Sequence, residues 1–550
     1  MSDPPPIKDI RPACTVALLR DGVAGLEVLL LRRDPNARFM GGFLVFPGGA
    51  FVPEDRDPRA MQRVVGMDDA VASARLGIPA GGLSFWLAAV RETFEEAGTM
   101  LAVDESGASP DLAAVLDDRA ALNAGTLSFV DLLLKHRLVI QARDLVYFDH
   151  WLTPPTRGRR FDTRFFLARA PEGQLATHDG AEIVDARWIT PQAALAEASN
   201  KTIDLANATV ATLTMLAKHA SIDQVLEAAR VLGDIEMNRP CLAQGSAGQK
   251  VFHRHDAGYH EIHWSDPQES MQTTYDLAPG VAKALDRWVT RIIAPNRGPM
   301  TGPGTNTYFV GERELAVIDP GPLDDSHIGA LLAHGGDRIR WILCTHTHRD
   351  HSPAAAKLAA ATGAQVIGMP APAEGRQDET FAPDRIVRDG DVVQLGDVSL
   401  TVIHTPGHAS NHLCFQLGST GMLFTGDHVM QGSTVVIPHP DGNMRQYLTS
   451  LARLFGLDIA IIAPGHGYLI GNPHREVRTL IQHRLWREAR VRDAVRRRGP
   501  VSIDDMLDDV YPDLRPALRG AAALSLRAHL VKLVEEENVR EDDGRYESVP

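Results

Sequence analysis

Residues 345–351 read Thr-His-Thr-His-Arg-Asp-His, which places three histidines and one aspartate in a single short stretch. Imidazole and carboxylate groups are the ligands that zinc and similar divalent ions take in proteins. The apolar run Trp-Ile-Leu-Cys precedes them and predicts a strand, so the ligands fall on a loop at the end of that strand. A polar loop that is rich in histidine by chance is the alternative. The HxHxDH spacing is specific and favours a metal site.

Three further ligand residues follow in chain order. His408 lies in TPGHASNH, Asp427 in FTGDHV and His466 in IIAPGHG. Each comes after an apolar, strand-like run and lies beside a glycine or proline turn. We therefore expect all three at strand ends, where they complete a metal centre with the HxHxDH loop.

A second set of candidate residues lies in the first half of the chain, on the segment AAVRETFEEAG. Glu92, Glu95 and Glu96 are spaced three and four positions apart, so they share one face of a helix. Like charges repel there unless a cation binds, and carboxylate oxygens are the ligands that magnesium and manganese prefer. Arg91 can hold a carboxylate or the preceding FPGG loop in place. An exposed acidic helix is the alternative interpretation. The presence of the FPGG loop together with the arginine and glutamates of this helix disfavours it.

The elements that must position these residues fall into four segments. With 550 residues the chain is long enough for three or four domains. Strand-like runs alternate with helical ones in the first and third segments, which is an α/β pattern. The second segment is polar and weakly patterned, and the last is helical and charged. We expect a domain at 8–235, a strand-containing extension leading into a linker at 236–285, a domain at 286–475 and a helical segment at 476–550.

Composition and charge exclude several classes of protein. Hydrophobic residues make up 44% and charged residues 23% of the chain, which excludes a disordered, collagen-like or coiled-coil protein. The net charge of −14 excludes a basic nucleic-acid footprint over the whole chain, although a local patch stays open. Four cysteines lie far apart, which excludes a disulfide scaffold and a cysteine-rich zinc site. We find no signal-peptide pattern and no membrane-spanning run, and expect a soluble, cytoplasmic protein from a reducing compartment.

The histidine and aspartate motifs resemble the pattern of the metallo-β-lactamase superfamily over about residues 286–475. The resemblance implies an αββα fold that holds two zinc or similar divalent ions. It assigns one ion to His346, His348 and His408, the other to Asp350, His351 and His466, and the bridging position to Asp427. Asp319, in VIDPG, matches a position that supports the site. Aspartate rather than cysteine at the bridging position argues against a lactamase proper.

The chemistry implied by that resemblance is hydrolysis of an ester, thioester, amide or phosphodiester. Two ions share a hydroxide, lower its pKa towards neutrality and polarise the bond that it attacks. Asp350 is counted among the catalytic groups as well as among the ligands.

Longer stretches are similar to the lactamase-β-like-2 endoribonucleases, whose activity is cleavage of single-stranded RNA. They are NRGPMTGPGTNTYFVG at 296–311, THTHRDHSPA at 345–354, APGHG at 463–467 and a winged-helix-like tail at 510–539. The same TNTY and HxHxDH motifs occur in fungal polyketide acyl-thioesterases and hydroxyacylglutathione hydrolases, so the substrate stays open. Residues 475–498 hold nine arginines against three acids. This basic helix either follows a phosphate backbone or pairs with the acidic remainder of the chain.

The FPGG loop and the glutamate helix resemble the Nudix box, G-x5-E-x7-R-E-u-x-E-E-x-G-u, in which u is bulky and apolar. Asp55 stands where the first glutamate of that box belongs. Gly49 and Arg91 are 42 positions apart instead of 14, so 28 residues are inserted. Thr93 and Thr99 replace apolar positions. The Nudix subgroup that acts on coenzyme A carries a similar insertion.

This second resemblance implies an α/β/α sandwich that uses magnesium or manganese to direct water at a diphosphate bond. Glu92, Glu95 and Glu96 would carry the metal and the catalysis. Glu182 is a further candidate ligand or base. Three arginines are candidates to neutralise substrate phosphates, although each is more often a surface cation: Arg32, Arg33 and Arg160.

The sequence thus predicts an α/β multidomain metallohydrolase with a Nudix domain, a metallo-β-lactamase domain and a small winged-helix-like segment. The first functional hypothesis is a bifunctional hydrolase that cuts the diphosphate of CoA or acyl-CoA in one half and an ester or thioester in the other. The second is an endoribonuclease acting on single-stranded RNA through the lactamase half. The third is a regulatory or binding module with a structural metal site, against which the full ligand set argues. A homodimer is compatible with the sequence.

Overall fold

The computed structural model describes residues 10–37, 40–155, 159–180, 182–233, 235–373, 377–512 and 514–549. The chain divides into two compact units, with the boundary between Pro240 and Cys241.

The first unit contains ten strands and nine α-helices in its described residues. The strands are β1 (Ile10–Gly22), β2 (Gly25–Arg33), β3 (Leu44–Val45), β4 (Gly48–Ala50), β5 (Val64–Val65), β6 (Val103–Asp104), β7 (Leu138–Gln141), β8 (Leu145–Leu152), β9 (Arg160–Arg169) and β10 (Ile183–Ile189). The helices are α1 (Pro58–Met61), α2 (Asp69–Leu76), α3 (Leu83–Ala97), α4 (Leu112–Asp117), α5 (Arg119–Asn123), α6 (Phe129–Lys135), α7 (Pro191–Ser199), α8 (Asn207–Leu216) and α9 (Ile222–Arg230).

The main sheet of this unit is mixed and covered by helices on both faces. Its strand order is β10-β2-β1-β9-β8, with β3 paired to β2 and β4 to β1. Side chains alternate across β1, so Val16 and Leu18 pack with α3 on one face. Ala17 and Leu19 pack against the α7–α9 side on the other face. The result is the three-layer α/β/α sandwich that the sequence predicted.

Helix α3 carries the three glutamates, and the residues inserted before it fix its start. The Asp69 carboxylate accepts hydrogen bonds from the backbone N–H groups of Gly81 and Leu83. Ser73 Oγ accepts one from the N–H of Gly82. These bonds satisfy N–H groups that a helix start leaves without intrahelical partners. The helix ends at Gly98, whose φ of +65° gives the left-handed cap that favours glycine.

The second unit contains sixteen strands and seven α-helices in its described residues. The strands are β11 (Cys241–Ala243), β12 (Lys250–Phe252), β13 (Lys283–Ala284), β14 (Val289–Ile293), β15 (Asn306–Val310), β16 (Leu315–Ile318), β17 (Ile339–Leu343), β18 (Gln365–Gly368), β19 (Arg385–Ile386), β20 (Val392–Leu395), β21 (Val398–His404), β22 (Leu413–Leu417), β23 (Met422–Gly426), β24 (Ile461–Pro464), β25 (Val539–Asp542) and β26 (Arg545–Ser548). The helices are α10 (Tyr259–Ser265), α11 (Asp325–Gly335), α12 (Ala355–Thr362), α13 (Met444–Arg453), α14 (Pro473–Arg498), α15 (Ile503–Val510) and α16 (Arg519–Glu535).

Two sheets of the second unit pack face to face. One runs β13 to β19 in sequence order and the other β20 to β24. Apolar side chains from both sheets fill the space between them, among them Tyr308, Leu343, Val402 and Phe415. Helices α11 and α12 cover the outer face of the first sheet, and α13 and α14 cover that of the second. Helix on sheet on sheet on helix is the four-layer arrangement expected from the sequence.

The segment before β14 has more regular structure than its weak patterning suggested. Strands β11 and β12 form a hairpin-like pair, and α10 packs against them around Tyr259 and Ile262. Strand β13 then pairs with β14 and so belongs to the first sheet. Much of the segment expected as an extension and linker is therefore built into the second unit.

The last segment forms a small core of its own around the end of α14. Residues of α14, α15 and α16 share this core with Val539 and Tyr546 of the β25–β26 hairpin. The polar stretch NVREDDGRYE contributes that hairpin. None of the described helices combines the length and apolar character that crossing a lipid bilayer requires.

Candidate active sites

The HxHxDH loop begins where β17 ends, and Asp319 holds it in place. Asp319 follows β16, the parallel neighbour of β17, and adopts a positive φ of 51°. Its carboxylate accepts hydrogen bonds from the backbone N and the Oγ1 of Thr345, at 2.7 and 2.8 Å. It also accepts one from His351 Nδ1 at 2.9 Å. Parallel strand ends meet at one sheet edge, which is why both loops reach the same point.

Three histidines converge on one point at this edge. His348 Nδ1 lies 2.9 Å from His346 Nε2 and 2.9 Å from His408 Nε2. His408 Nδ1 donates to the carbonyl of Val436 at 2.6 Å, so the lone pair of its Nε2 is directed towards the other rings. The sequence placed these residues in one ligand set, and the structure brings their nitrogen atoms together.

Four further groups form a second cluster beside the first. Asp350 Oδ2 lies 3.5 Å from His351 Nε2 and 3.4 Å from His466 Nε2. Asp427 Oδ1 lies 3.5 and 3.3 Å from the same two nitrogens. The other Asp427 oxygen lies 3.7 Å from His408 Nε2 in the first cluster. Asp427 therefore reaches both clusters, which is what a bridging ligand requires.

The ionisation of these groups follows their surroundings. Burial, together with His408, lowers the pKa of His348 to about 3, and burial lowers that of His408 as well. Burial also opposes a charge on His466, but Asp427 and Asp350 outweigh it and raise its pKa to about 9. The first cluster thus presents neutral imidazoles, which is the form that binds a metal ion.

The residues of both clusters fit divalent ions. Within each cluster one nitrogen or oxygen of every residue lies within 4.8 Å of the others. Three of these atoms are buried without a hydrogen-bond partner: His351 Nε2, Asp427 Oδ1 and His466 Nε2. Buried polar atoms are rarely left unpaired in folded proteins, so the geometry of an ion site accounts for them.

Two further histidines line the back of the first cluster. The His412 ring stacks on His346, with centroids 4.9 Å apart and an interplanar angle of 27°. The ring centroids of His428 and His412 are 5.9 Å apart, and both side chains are fully buried. Sequence reasoning assigned neither a role, although His412 ends the TPGHASNH motif that contains His408.

In the first unit, Arg91 and Asp55 form the centre of the second candidate site. Arg91 Nε and Nη2 donate to the two Asp55 oxygens at 2.8 and 2.9 Å, a bidentate pair that is almost fully buried. Arg91 Nη1 donates to Glu92 and to Glu95, each at 2.9 Å. Asp55 therefore provides the carboxylate partner for Arg91 at the position where the sequence pattern has glutamate.

The glutamates are held apart in this structure. Glu96 accepts a hydrogen bond from the backbone N–H of Gly48 at 2.9 Å, whereas Glu92 and Glu95 both bind Arg91. A Cβ at Gly49 would lie 2.5 Å from a Glu92 oxygen, so a larger residue there would displace the Glu92 carboxylate. Among the described residues, only the histidine and aspartate clusters bring three or more ligand atoms within 4.8 Å.

The charge of these carboxyl groups is only partly balanced. Burial raises the pKa of Glu92 to about 7, in spite of Arg91. Burial, reinforced by Glu92, also raises the pKa of Glu96. A divalent cation would supply the missing compensation, and its preferred ligands are carboxylate oxygens. The residues therefore fit magnesium or manganese, although small side-chain movements must bring them together.

A cavity of about 500 Å³ adjoins the glutamates. Its lining includes Glu92, Glu96, Glu182 and Arg33. Glu182 pairs with Arg33 at 2.5 Å and is half-exposed. The lining also contains several large apolar groups, among them Phe43, Phe46, Trp151, Phe161 and Phe165.

The three predicted phosphate-binding arginines are placed differently. Arg33 lines the cavity, but Arg32 and Arg160 do not. Arg32 donates to the Gly42 carbonyl, and the buried Arg160 donates to that of Thr153. Two arginines that sequence reasoning did not select, Arg11 and Arg159, line the cavity. No motif marks them, because the strand pairing that brings them there is long-range.

Several arginines of α14 are used inside the second unit. Arg487 and Arg490 donate to the last carbonyls of α15, those of Val510 and Asp509. The buried Arg484 donates to the carbonyl of Val435. Arg498 pairs with the Asp509 carboxylate at 2.6 Å. For these four residues the contacts favour internal pairing over binding of a phosphate backbone.

Residues 300–466 match the family described as the metallo-beta-lactamase superfamily. The Caenorhabditis elegans protein named "Beta-lactamase-like protein 2 homolog" is 31% identical over 253 residues, which cover 44% of this chain and 83% of that one. The chain belongs to the metallo-beta-lactamase superfamily. It also contains a NUDT19-type Nudix domain, matched over residues 52–216, and a beta-lactamase-associated winged helix domain, matched over residues 502–546.

Two further known proteins resemble parts of this chain. The Aspergillus chevalieri protein named "Atrochrysone carboxyl ACP thioesterase" is 31% identical over 262 residues, which cover 45% of this chain and 80% of that one. A Nudix hydrolase of known structure from Alicyclobacillus acidocaldarius has 27% identity and a TM-score of 0.34, covering 40% of this chain and 97% of that one.

These matches confirm the predicted fold class and family assignments of this metallo-beta-lactamase superfamily member. They also confirm that it is a hydrolase, since both matched catalytic domains are hydrolase domains. Both folds imply divalent metal ions, and both imply small-molecule substrates.

Proposed function

We propose that this chain is a bifunctional metal-dependent hydrolase acting on CoA-type substrates. The first unit hydrolyses the diphosphate of CoA or acyl-CoA, and the second hydrolyses an ester or thioester. The observation that carries this proposal is that each of the two units of one chain holds its own set of candidate metal ligands: the histidine and aspartate clusters in the second unit, and the buried glutamates around Arg91 in the first.

The proposed thioester substrate is supported by the similarity to relatives named as thioesterases. For this unit, His346, His348 and His408 would hold one zinc ion, and Asp350, His351 and His466 the other, with Asp427 between them. When bound, the two ions would lower the pKa of water and polarise the bond under attack. Asp350 is the most exposed residue of its cluster, with 28% of its side chain accessible. We assign to its carboxylate the transfer of a proton from the attacking water to the sulfur of the leaving thiolate.

The NUDT19-type match and the cavity support the diphosphate substrate. Glu92, Glu95 and Glu96 would hold magnesium or manganese, with Glu182 as a further ligand. Arg33 and Arg159 are placed to neutralise phosphate oxygens, since both line the cavity. The aromatic lining gives the uncharged part of the substrate an apolar surface. Water adds across the P–O–P bond, which gives 3′,5′-ADP and 4′-phosphopantetheine from CoA.

Single-stranded RNA is the alternative substrate for the second unit. The guanidinium groups of Arg487 and Arg490 lie over the ring of the exposed Trp486. Nucleic-acid bases can stack on aromatic side chains of this kind. The same arginines are already hydrogen-bonded within the unit, which makes RNA the weaker candidate.

The test separates the two activities by substrate. Full-length protein is incubated with CoA and Mn²⁺, with an acyl-N-acetylcysteamine thioester that has no diphosphate, and with a single-stranded RNA oligonucleotide. The proposal predicts 3′,5′-ADP from the first and free thiol from the second, both detected by mass. Cleavage of RNA with the thioester left intact would overturn the thioesterase half in favour of the nuclease. No product from CoA would overturn the diphosphatase half.

A further inference from the structure

The turn that carries His466 is held by residues from outside the matched stretch 300–466. Arg291, on β14, donates from Nη1 to the carbonyl of Gly467 at 3.2 Å. Leu469 N–H donates to Glu261 Oε2 at 3.0 Å. Glu261 lies on α10, in the segment for which the sequence predicted an extension and linker. The turn therefore has a direct and an indirect connection to one buried carboxylate.

The Glu261 carboxylate has every acceptor position filled. Oε1 accepts from Lys283 Nζ at 2.6 Å and from Arg291 Nη2 at 2.9 Å. Oε2 accepts from Arg291 Nη1 at 2.6 Å and from the Leu469 N–H. A carboxylate offers about four lone-pair sites, and all four are used. The side chain is completely buried, so these donors take the place of solvent around its charge.

Other contacts join the same two segments. Tyr468 Oη donates to the carbonyl of Tyr275 at 2.7 Å. The His260 ring packs so closely on Gly471 that a Cβ there would lie 2.3 Å from it. Three contacts from the segment before β14 thus end within five residues of His466. The backbone on the other side of the turn is held by Asn306, which donates to the carbonyls of Pro464 and Gly467.

The position of His466 decides the shape of the second cluster. His466 Nε2 lies 3.3 Å from Asp427 Oδ1 and 3.4 Å from Asp350 Oδ2. His466 Nδ1 lies 3.1 Å from the carbonyl of Gly304, which fixes the ring but not the turn that carries it. The histidines of the first cluster lie on loops after β17 and β21, so a shift of the His466 turn would open the second cluster alone.

We propose that Glu261 is a positioning residue that holds the His466 turn, through Arg291 and the Leu469 backbone, in the geometry that the second metal position requires. This inference rests on the proposed dinuclear function of the second unit. It assigns a catalytic-site role to residues 241–285, which the sequence alone marked only as a connecting segment.

The first test uses a variant that keeps the net charge of the buried group. Glu261→Gln combined with Lys283→Met removes one negative and one positive charge, and leaves Arg291 with a neutral partner. Full-length protein is loaded with zinc and dialysed against Mg²⁺ buffer, and the zinc ions per chain are counted by mass spectrometry. A parallel sample is loaded with cobalt(II), and its absorption spectrum is recorded. We expect two zinc ions per wild-type chain and one per variant chain, because affinity at the second position falls about 10- to 100-fold.

A matched control shows whether the effect is local. Glu488 lies on α14, away from the His466 turn, and its largely buried carboxylate pairs with Lys532 at 2.8 Å. Glu488→Gln removes that charge. This variant should keep both zinc ions. Equal loss of both ions from the Glu261 variant, or retention of both at wild-type affinity, would overturn the proposal.

A gentler variant keeps the proposal testable if the double variant does not fold. Tyr468→Phe removes a single hydrogen bond between the turn and the segment before β14. Its second zinc ion should bind about fivefold more weakly, with the first unchanged. Unchanged affinity for both ions would contradict the proposal. If the wild-type chain retains two zinc ions but cleaves neither thioester nor RNA, the proposed function fails while the positioning role stands on the zinc count.

Discussion

The two candidate sites differ in how far the protein alone has assembled them. In the second unit, a ring nitrogen of His348 already lies within hydrogen-bonding distance of ring nitrogens of His346 and His408. In the first unit, Arg91 holds Glu92 and Glu95 while the Gly48 backbone holds Glu96. The orientation of an imidazole ring is fixed once its second nitrogen has a hydrogen-bond partner. A glutamate side chain has three rotatable bonds, so in the absence of a metal ion its carboxylate can pair with a nearby arginine.

This difference has a consequence for how each site gains its ion. The histidine site has little rearrangement to make, because its ligand atoms are already in place. The glutamate site must exchange hydrogen bonds to Arg91 for bonds to a divalent ion. We therefore expect tight, slowly exchanging zinc in the second unit and weaker magnesium or manganese in the first.

The largest expected effect comes from removing the residue that reaches both clusters of the second unit. Asp427→Asn should lower thioester hydrolysis on the order of a thousandfold, because it changes the charge at both ion positions. CoA diphosphate hydrolysis by the first unit should stay at the wild-type rate, and both are measured on the same preparation. The control is Asp389→Asn, which alters an exposed ion pair with Arg453 in the same unit. A loss of both activities would contradict the independence of the two sites.

Next in size is the loss of the buried pair that organises the glutamate site. Asp55→Asn leaves Arg91 without its bidentate partner and should destabilise the first unit by about 3 kcal/mol. The change in the free energy of unfolding is measured by urea unfolding, with hydrogen exchange in peptides covering residues 44–97 as the probe. Asp57→Asn changes a partly exposed neighbour that pairs with Arg59, and asparagine can replace aspartate at the start of α1, so this variant should give no measurable difference. Equal stability of the two variants would show that the Asp55 position contributes nothing.

A pH-dependent effect distinguishes the buried acid of the second unit. Burial opposes the charge of Glu261, but Arg291 and Lys283 outweigh it and lower its pKa from 4.5 to about 2. Because the folded pKa lies below the ordinary value, the stabilisation is complete above pH 4.5 and is lost as the pH falls towards 2.

Glu261→Gln should therefore reduce the free energy of unfolding of the second unit by about 3 kcal/mol at pH 7. The difference from wild type should shrink as the pH falls below 4.5. Urea unfolding at pH 7, 5 and 3.5 measures it. A difference that is constant over this range would contradict the assigned charge state.

The smallest expected effect tests the edge of the glutamate site. Glu182 is half-exposed and pairs with Arg33, so its replacement leaves the buried ligands in place. Glu182→Gln should lower the CoA diphosphatase rate about tenfold or less and raise the Mn²⁺ concentration needed for half-maximal activity. A loss as large as that of Glu96→Gln would make Glu182 a principal ligand and change the composition of the site.

Sequence patterns predicted the fold classes and the main ligand candidates because both depend on short-range spacing. HxHxDH needs only a strand followed by a loop, and the glutamates need only a helix. The cavity arginines Arg11 and Arg159 were missed because long-range strand pairing brings them to the cavity. Glu261 was missed for a similar reason: its partners are Lys283, Arg291 and Leu469, none of which shares a motif with it. A polar, weakly patterned segment gave no sign that it contacts the turn that carries His466.

The most direct test of two working sites in one chain uses one substrate that both can attack. A long-chain acyl-CoA is given to wild-type protein, to Glu95→Gln and to His348→Ala, with Mn²⁺ and Zn²⁺ present and products identified by mass. We predict 3′,5′-ADP and free fatty acid from wild type, loss of only the nucleotide in Glu95→Gln, and loss of only the acid in His348→Ala. Loss of both products in either variant, or absence of one product from wild type, would contradict the account.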